Sequence, residues 1–175
     1  GHDDSRAALP SEAIGQLRSR IPGIHCVIAG RGSFLPELQT RVDVDGLGDV
    51  VTLAGFVPDD ELKDLLRRAS CVVIPSLYEP FGIVALEGMA SGAPTVVART
   101  GGLAEIVADT GAALLFEPGN AGSLAHQIAA VLNDPAMADG MCVVAERLLA
   151  DRYSWSAIAE ATVAVYLAAG ANQRP

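Results

Sequence analysis

Five short apolar segments alternate with longer amphipathic stretches, and this pattern restricts the possible folds more than any other feature of the chain. The segments are residues 24–29, 50–54, 71–75, 94–98 and 113–116. Most are continuous apolar runs, as is typical of parallel strands that are covered by helices on both faces. The strand–helix alternation predicts an α/β fold with a doubly wound parallel sheet, which is a Rossmann-like arrangement.

Apolar residues recur at helical spacing between these segments. The predicted helical faces are Ile14, Leu17 and Ile21; Leu62, Leu65, Leu66 and Ala69; and Leu124, Ile128, Val131 and Leu132. We expect Asp59 or Asp60 to cap the second helix, and Asn120 to lie near the start of the third, which Pro135 ends. Two further helices are predicted at about 136–151 and 155–168. The last has an apolar seam and no strand after it.

Composition limits the classes of function. The chain has 175 residues, 50% of them hydrophobic, which is enough for one well-buried domain. Its net charge is −9 and it has no cluster of Lys or Arg, which disfavours nucleic-acid binding. An anionic ligand would therefore need local dipoles rather than the overall field of the protein. No apolar run approaches the roughly 18 residues of a membrane span.

The termini and cysteines favour a cytoplasmic protein. The polar start shows no signal peptide, and Gly1-His2 resembles a cleavage scar. Cys26, Cys71 and Cys142 form no CxxC pair, and the first two lie in apolar runs, so we interpret them as small core residues. A peripheral location at the inner face of a membrane is compatible with the same observations.

Three glycine-containing turns follow predicted strands, where ligands of open parallel sheets bind. They are Gly30-Arg31-Gly32-Ser33, Glu79-Pro80-Phe81-Gly82 and Thr100-Gly101-Gly102-Leu103. Each could be an ordinary turn. The second is the most informative, because Pro80 fixes the start of a helix and Gly82 lets a ligand approach the backbone. The amides from Phe81 to Val84 would present the positive end of that helix to a phosphate.

Two glutamates accompany the second turn. Glu79 and Glu87 lie eight residues apart, and Glu87 is surrounded in sequence by Ala85, Leu86 and Gly88. An acid in an apolar environment needs a partner, which ligand hydroxyls could supply. The alternative is a helix-start glutamate followed by a solvated one. No metal-binding constellation and no Ser-His-Asp set is evident.

The run from Tyr78 to Ala98, YEPFGIVALEGMASGAPTVVA, strongly resembles the motif of retaining GT-B glycosyltransferases, the large family with glycogen-synthase-like enzymes and mannosyltransferases. The likeness continues through GGLAEIV at residues 101–107, back to LAGFV at 53–57 and forward to Tyr153-Ser154-Trp155. It covers about residues 12–168. A nucleotide-diphosphate sugar is the implied donor, glucose the favoured sugar and a glycan the implied acceptor.

The resemblance implies roles for individual residues. Glu79 would contact donor-sugar hydroxyls and stabilise the reacting centre, and Phe81, Gly82 and Ile83 would lie against the sugar and diphosphate. Glu87 would accept hydrogen bonds from the ribose, and Phe56 and Val57 would border the base. The remaining donor-binding candidates are the turn residues Gly30, Gly101 and Gly102. The family's chemistry requires no metal, cofactor or protein nucleophile.

The chain also departs from the family pattern. Such enzymes have an acceptor-binding N-terminal domain and, before the region matching residues 11–20, a strand with a Gly-Arg…Lys-Gly turn that holds the diphosphate. Neither is present in the 175 residues, and Arg31 and Arg99 do not occupy those places. Losing each charge-assisted contact costs roughly 1.5–3 kcal/mol. We therefore predict a donor-binding half that is inactive alone.

The predicted organisation is a start segment at 1–10, a nucleotide-sugar-binding domain at 11–152 without its first strand, a crossover helix at 153–170 and a tail at 171–175. Without a central strand, the sheet must rearrange, leave a gap or recruit a strand from another copy. Exposed strand edges or the terminal helix offer surfaces for self-association.

Two other functions remain open. One is a non-catalytic module that binds a nucleotide sugar or regulates a partner. The other is a sugar-nucleotide epimerase of the same architecture, against which the EPFG motif argues. The base, the sugar and the acceptor are not determined by these residues.

Overall fold

The computed structural model describes residues 8–76 and 81–171. Its strands are β1 Cys26–Ala29, β2 Val51–Gly55, β3 Val72–Ile74, β4 Thr95–Ala98 and β5 Leu114–Phe116. Its helices are α1 Leu9–Leu17, α2 Leu35–Val44, α3 Asp59–Arg68, α4 Ile83–Ala90, α5 Gly101–Val107, α6 Ala121–Asn133, α7 Pro135–Leu148 and α8 Trp155–Ala171, with a π-helical segment at Leu149–Tyr153. The five strands and the α/β alternation agree with the sequence prediction.

Helix starts are determined by local side chains in two clear cases. Asn120 caps α6, with its Oδ1 accepting a hydrogen bond of 2.8 Å from the Ser123 amide. Asp134 caps α7 in the same way through the Met137 amide, at 2.9 Å. The cap predicted at Asp59 or Asp60 is wrong: Pro58 precedes α3, which has no side-chain cap. Both aspartates lie in its first turn, where carboxylates favour the helix dipole.

The parallel sheet is divided. β1 pairs with β2, and β3, β4 and β5 form a separate three-stranded sheet in that order. Cys26 lies opposite Val51 in the first pair, and Val96 of β4 pairs with Val73 and Leu114 in the second sheet. In the part of the chain that is described, β1 and β3 are not hydrogen-bonded to each other. A sheet without its central strand was expected to rearrange, to leave a gap or to recruit a strand from another copy. The described residues show the gap.

The two sheets differ in how they are covered. Every residue of β4 is buried, as expected for a central parallel strand. In β1 and β2 the burial alternates, and Val27 is 37% exposed. The expectation of cover on both faces is wrong for this pair, because α3 has no buried residue and leaves one face open. An open cleft of about 690 Å³ there is lined by residues such as Val27, Ala54 and Leu65.

A single hydrophobic core nevertheless joins the two sheets. It includes Leu17 of α1, Val51 of β2, Val96 of β4 and Leu124 of α6. α1 packs against both β1 and α6, and α6 packs against β4 and β5. These helices therefore connect the sheets on the face opposite the cleft.

One helix was not predicted from the sequence, and the exposed apolar side chains of the terminal helix agree with the prediction. α2 was missed, although Pro36 in its first turn and the buried pair Leu38 and Val42, one turn apart, are typical helix signals. α8 is the predicted terminal helix, and its apolar side chains are exposed, with Trp155 at 87%. Within the described residues, no single helix is both long and apolar enough to cross a membrane.

Candidate nucleotide-binding site

The predicted site residues that the structure describes lie after the carboxyl ends of parallel strands or on the helices that follow them. Gly30 follows β1, Phe56 and Val57 follow β2, and Gly101 and Gly102 follow β4. α4 begins after β3 and includes Ile83 and Glu87. Glu79, the predicted catalytic residue, lies outside the described residues, as does Pro80. The described candidates share the edge at which open α/β sheets bind ligands.

Gly82 determines how α4 begins. Its φ of +68° is left-handed, and a Cβ at this position would lie 2.3 Å from Ile106 Cδ1 and 2.9 Å from the Gly102 carbonyl oxygen. Only glycine fits both restrictions. The expectation that the missing side chain leaves room for a ligand is wrong, because Ile106 and Gly102 fill this space and Gly82 is buried. The residue thus brings the start of α4 against the start of α5, so that the turns after β3 and β4 are in contact.

The residues on either side of Gly82 are open to solvent. Phe81 is 74% and Ile83 55% exposed. The first amides of an α-helix have no intrahelical acceptor, and those of α4 begin at Ile83. The first turn of α4 contains no carboxylate that would compete for these donors. Together with the helix dipole, this arrangement favours an anion at the start of α4.

The turn after β4 is fixed to the turn after β3. Thr100 Oγ1 donates a hydrogen bond of 2.9 Å to the Ser76 carbonyl oxygen. Thr100 precedes Gly101, which is exposed, and Gly102, which is buried against Gly82. Arg99 lies beside this turn, but its Nε pairs with Glu117 Oε1 at 3.1 Å. Because Glu117 follows β5, the Arg99 side chain points toward β5. Ser76 after β3 and Gly82 at the start of α4 are therefore both held against the turn after β4.

Glu87 lies in a more polar environment than the sequence suggested. It is exposed, while the buried residues of α4 are Ala85, Gly88 and Met89. Glu87 is therefore not a buried carboxylate in need of a partner, and the expectation that it would be one is wrong. Its position on α4, the helix whose first turn lies at the ligand edge, remains compatible with a contact to a ligand.

A second group of candidates lies at the ends of β1 and β2. The Gly30 amide donates a hydrogen bond of 2.8 Å to the Gly55 carbonyl oxygen. A register shift between Ile28 and Ala29 brings Ala29 opposite Gly55. Phe56, the next residue, is 56% exposed, and the Arg31 guanidinium carbon lies 3.5 Å from the centroid of its ring. Arg31 was not among the residues predicted for the site.

Two partly buried thiols, those of Cys26 and Cys71, lie at the amino-terminal ends of β1 and β3. Burial raises the pKa of Cys26 to about 11 and that of Cys71 to about 12, the latter with a smaller contribution from Cys26 nearby. Both are free thiols. Their neutral form is strongly favoured at physiological pH, so they behave as the small core residues that were predicted.

No group of three or more His, Cys, Asp or Glu side chains within residues 8–76 and 81–171 could hold a metal ion. The prediction that no metal or other cofactor takes part in the chemistry remains a prediction.

Comparison with known proteins identifies the family. Residues 7–161 match the family described as glycosyl transferases group 1. The chain belongs to this family. It is also 37% identical over 174 residues to a glycogen synthase from Mycobacterium tuberculosis (strain CDC 1551 / Oshkosh), covering 99% of the chain but 41% of that relative. The chain therefore spans less than half the length of this curated relative.

Solved structures agree on the fold. A sucrose-phosphate synthase from Thermosynechococcus elongatus is 30% identical with a TM-score of 0.77, over 98% of this chain and 44% of that one. Anabaena Alr3699/HepE, solved in complex with UDP-glucose, is 26% identical with a TM-score of 0.78, over 92% of this chain and 44% of that one. The prediction of a Rossmann-like half of a GT-B glycosyltransferase is confirmed by this family membership and fold.

Proposed function

We propose that the chain is the donor-binding half of a retaining glycosyltransferase, which binds a nucleotide-diphosphate sugar and transfers a hexose, with glucose favoured, to a glycan acceptor. The main supporting observation is Gly82, whose conformation and contacts hold the exposed start of α4 at the ligand edge of the sheet. The donor's diphosphate would lie against the start of α4 at Phe81, Gly82 and Ile83, of which Phe81 and Ile83 are exposed. Gly101, which is exposed, would give it close access to the backbone, while Gly102 holds Gly82 from the buried side.

The remaining roles follow the family pattern. Glu87 would accept hydrogen bonds from the ribose, Phe56 and Val57 would border the base, and Gly30 would allow the nucleotide to approach the end of β1. Glu79 would hold the donor-sugar hydroxyls and stabilise positive charge at the anomeric carbon. This division of roles places the sugar near α4 and the base near β2.

The proposed reaction needs only the two substrates and a preorganised site. The bond between the anomeric carbon and the diphosphate oxygen breaks, and a bond to an acceptor hydroxyl oxygen forms on the same face of the sugar. The acceptor proton moves to the departing phosphate, so that no protein nucleophile is used. The backbone amides at α4 stabilise the charge that develops on the leaving diphosphate.

Transfer requires the acceptor and donor to be held together. The acceptor would bind to a part of the protein outside these 175 residues, so we expect the isolated chain to bind the donor without turnover. A module that only binds nucleotide sugars is the competing function. It predicts binding but no transfer even when the chain is joined to an acceptor-binding domain.

Glu87→Gln tests the donor site. The change removes a carboxylate acceptor from the ribose contact, and a hydrogen bond to a charged group is worth about 1.5–3 kcal/mol, which is roughly 10- to 150-fold in affinity. We expect isothermal titration calorimetry with UDP-, ADP- and GDP-glucose to show this loss for the best donor. Stability should change by less than about 0.5 kcal/mol, because Glu87 is exposed.

Glu160→Gln is the matched control, since Glu160 is an exposed glutamate on α8. It should leave donor affinity unchanged. If none of the nucleotide sugars binds the wild-type chain at millimolar concentration, the proposed function is wrong. If they bind equally well to Glu87→Gln, the role of Glu87 is wrong while donor binding stands.

A further inference from the structure

The contact between Arg31 and Phe56 combines a cation and an aromatic ring at the ligand edge of the sheet. Arg31 lies in the turn after β1 and Phe56 directly follows β2. The hydrogen bond from the Gly30 amide to the Gly55 carbonyl oxygen fixes the backbones of both turns immediately before these residues. The contact thus joins two side chains on a rigid base.

Arg31 has no carboxylate partner in the part of the chain that the structure describes. This is notable in a protein with 21 acidic and 12 basic residues, because carboxylates are plentiful on its surface. One face of the guanidinium covers the Phe56 ring at 3.5 Å, and the residue is exposed to solvent. The outer face of the guanidinium plane is consequently available for stacking.

The position of this pair matches one end of a nucleoside diphosphate. Paired strands lie about 4.8 Å apart, so the ends of β1 and β2, which carry Arg31 and Phe56, are neighbours at the ligand edge. This pair of strands forms a sheet separate from the one with β3, and α4 begins after β3. A ligand with its diphosphate at α4 would extend its base toward Phe56 and Arg31.

We infer that Arg31 is a positioning residue for the nucleobase: the base stacks on the outer face of its guanidinium, while Phe56 supports the inner face. Guanidinium planes stack on nucleobases, and a lysine ammonium has no plane with which to do so. This inference rests on the proposed function, because it assumes that the ligand is a nucleotide.

The test compares nucleotides with a ligand that lacks a base. UDP, ADP, GDP and inorganic pyrophosphate are titrated by calorimetry into the wild-type chain, Arg31→Ala, Arg31→Lys and Phe56→Leu. We expect all three variants to bind the preferred nucleotide about tenfold more weakly, in line with the worth of one base stack. Pyrophosphate affinity should stay within twofold of wild type.

A double variant, Arg31→Ala with Phe56→Leu, tests whether the two side chains act as a unit. Its loss of nucleotide affinity should be similar to that of Arg31→Ala alone, because removing either side chain disrupts the same stacking pair. Arg20→Ala is the control, since Arg20 is exposed in the turn that follows α1. It should bind every ligand as the wild type does.

Each alternative result is distinct. If Arg31→Lys restores nucleotide affinity and pyrophosphate binding falls in Arg31→Ala, the side chain contacts phosphate by charge and the stacking inference is wrong. If the wild type binds nucleotides and no variant changes the affinity, Arg31 has no role and the proposed function stands. If the wild type binds no nucleotide at all, the proposed function and this inference both fail.

Discussion

Gly82 shows how one residue can position a helix end. Its left-handed conformation ends the loop before α4, and the absence of a side chain allows the Gly102 carbonyl and Ile106 to approach. Gly92, after α4, has a similar φ of +80° but no atom within 4 Å of an added Cβ. The two glycines therefore separate the cost of the backbone conformation from the cost of steric contact.

We expect Gly82→Ala to lower the free energy of unfolding by about 2–5 kcal/mol, which combines left-handed strain with overpacking. Gly92→Ala should cost only the conformational part, about 1–2 kcal/mol. Urea unfolding followed by circular dichroism measures both values. Equal losses in the two variants would show that the contact between the starts of α4 and α5 is not tight.

At the scale of elements, the sequence predicted the existence of helices and strands better than their environment. The continuous apolar runs correctly indicated five parallel strands, because that pattern depends only on local composition. The open face of β1 and β2 was not predictable in this way, since it depends on where α3 lies rather than on the residues of the strands. Glu87 was misjudged for the same reason: its neighbours in sequence are apolar, but they face the core and it does not.

Arg31 illustrates what a single sequence hides within a site. Its turn was recognised, but the partner ring is contributed by the next strand, and only the parallel pairing of β1 with β2 brings the two together. The turns at residues 82 and 102 were both identified as candidates. Their direct contact was not predicted, because it depends on how Gly82 lies against Gly102 and Ile106 in the folded chain.

α8 is the element least supported by the rest of the chain. Leu167 is 69% exposed, whereas Leu124 of α6 is fully buried. Leu167→Ala should therefore change the free energy of unfolding by less than about 0.5 kcal/mol. Leu124→Ala should cost about 2–5 kcal/mol through lost burial and a cavity. Chemical denaturation distinguishes them, and a large effect at Leu167 would mean that α8 is covered in solution, for instance by a second copy.

At the scale of the whole molecule, the partly buried thiols of Cys26 and Cys71 predict how stability depends on pH. Burial raises the pKa of Cys26 and Cys71 from 9.0 to about 11 and about 12 in the folded chain. The unfolded chain therefore loses these protons first as the pH rises. The stabilisation that comes from the two neutral thiols is complete below about pH 9. It is lost progressively as the pH rises toward the pKa values of these thiols in the folded chain.

A variant with Cys26→Ala and Cys71→Ala should accordingly lose less stability than the wild type between pH 9 and 11. Denaturant unfolding at closely spaced pH values measures how the free energy of unfolding of each protein changes with pH. Cys142→Ala serves as the comparison, because Cys142 on α7 is less deeply buried. If the free energy of unfolding changes equally with pH in the double variant and the wild type, groups other than these thiols determine the pH dependence between pH 9 and 11.

The divided sheet also has a consequence for cooperativity. No ladder of backbone hydrogen bonds continues from β1 to β3, and α3 shields its side of β1 and β2 poorly. The first pair of strands can therefore open while β4, buried and paired on both sides, remains closed. Native-state hydrogen exchange should show amides of β1 and β2 exchanging through a partial opening of lower free energy than those of β4. Uniform protection of all five strands would mean that the molecule unfolds as one unit despite the gap.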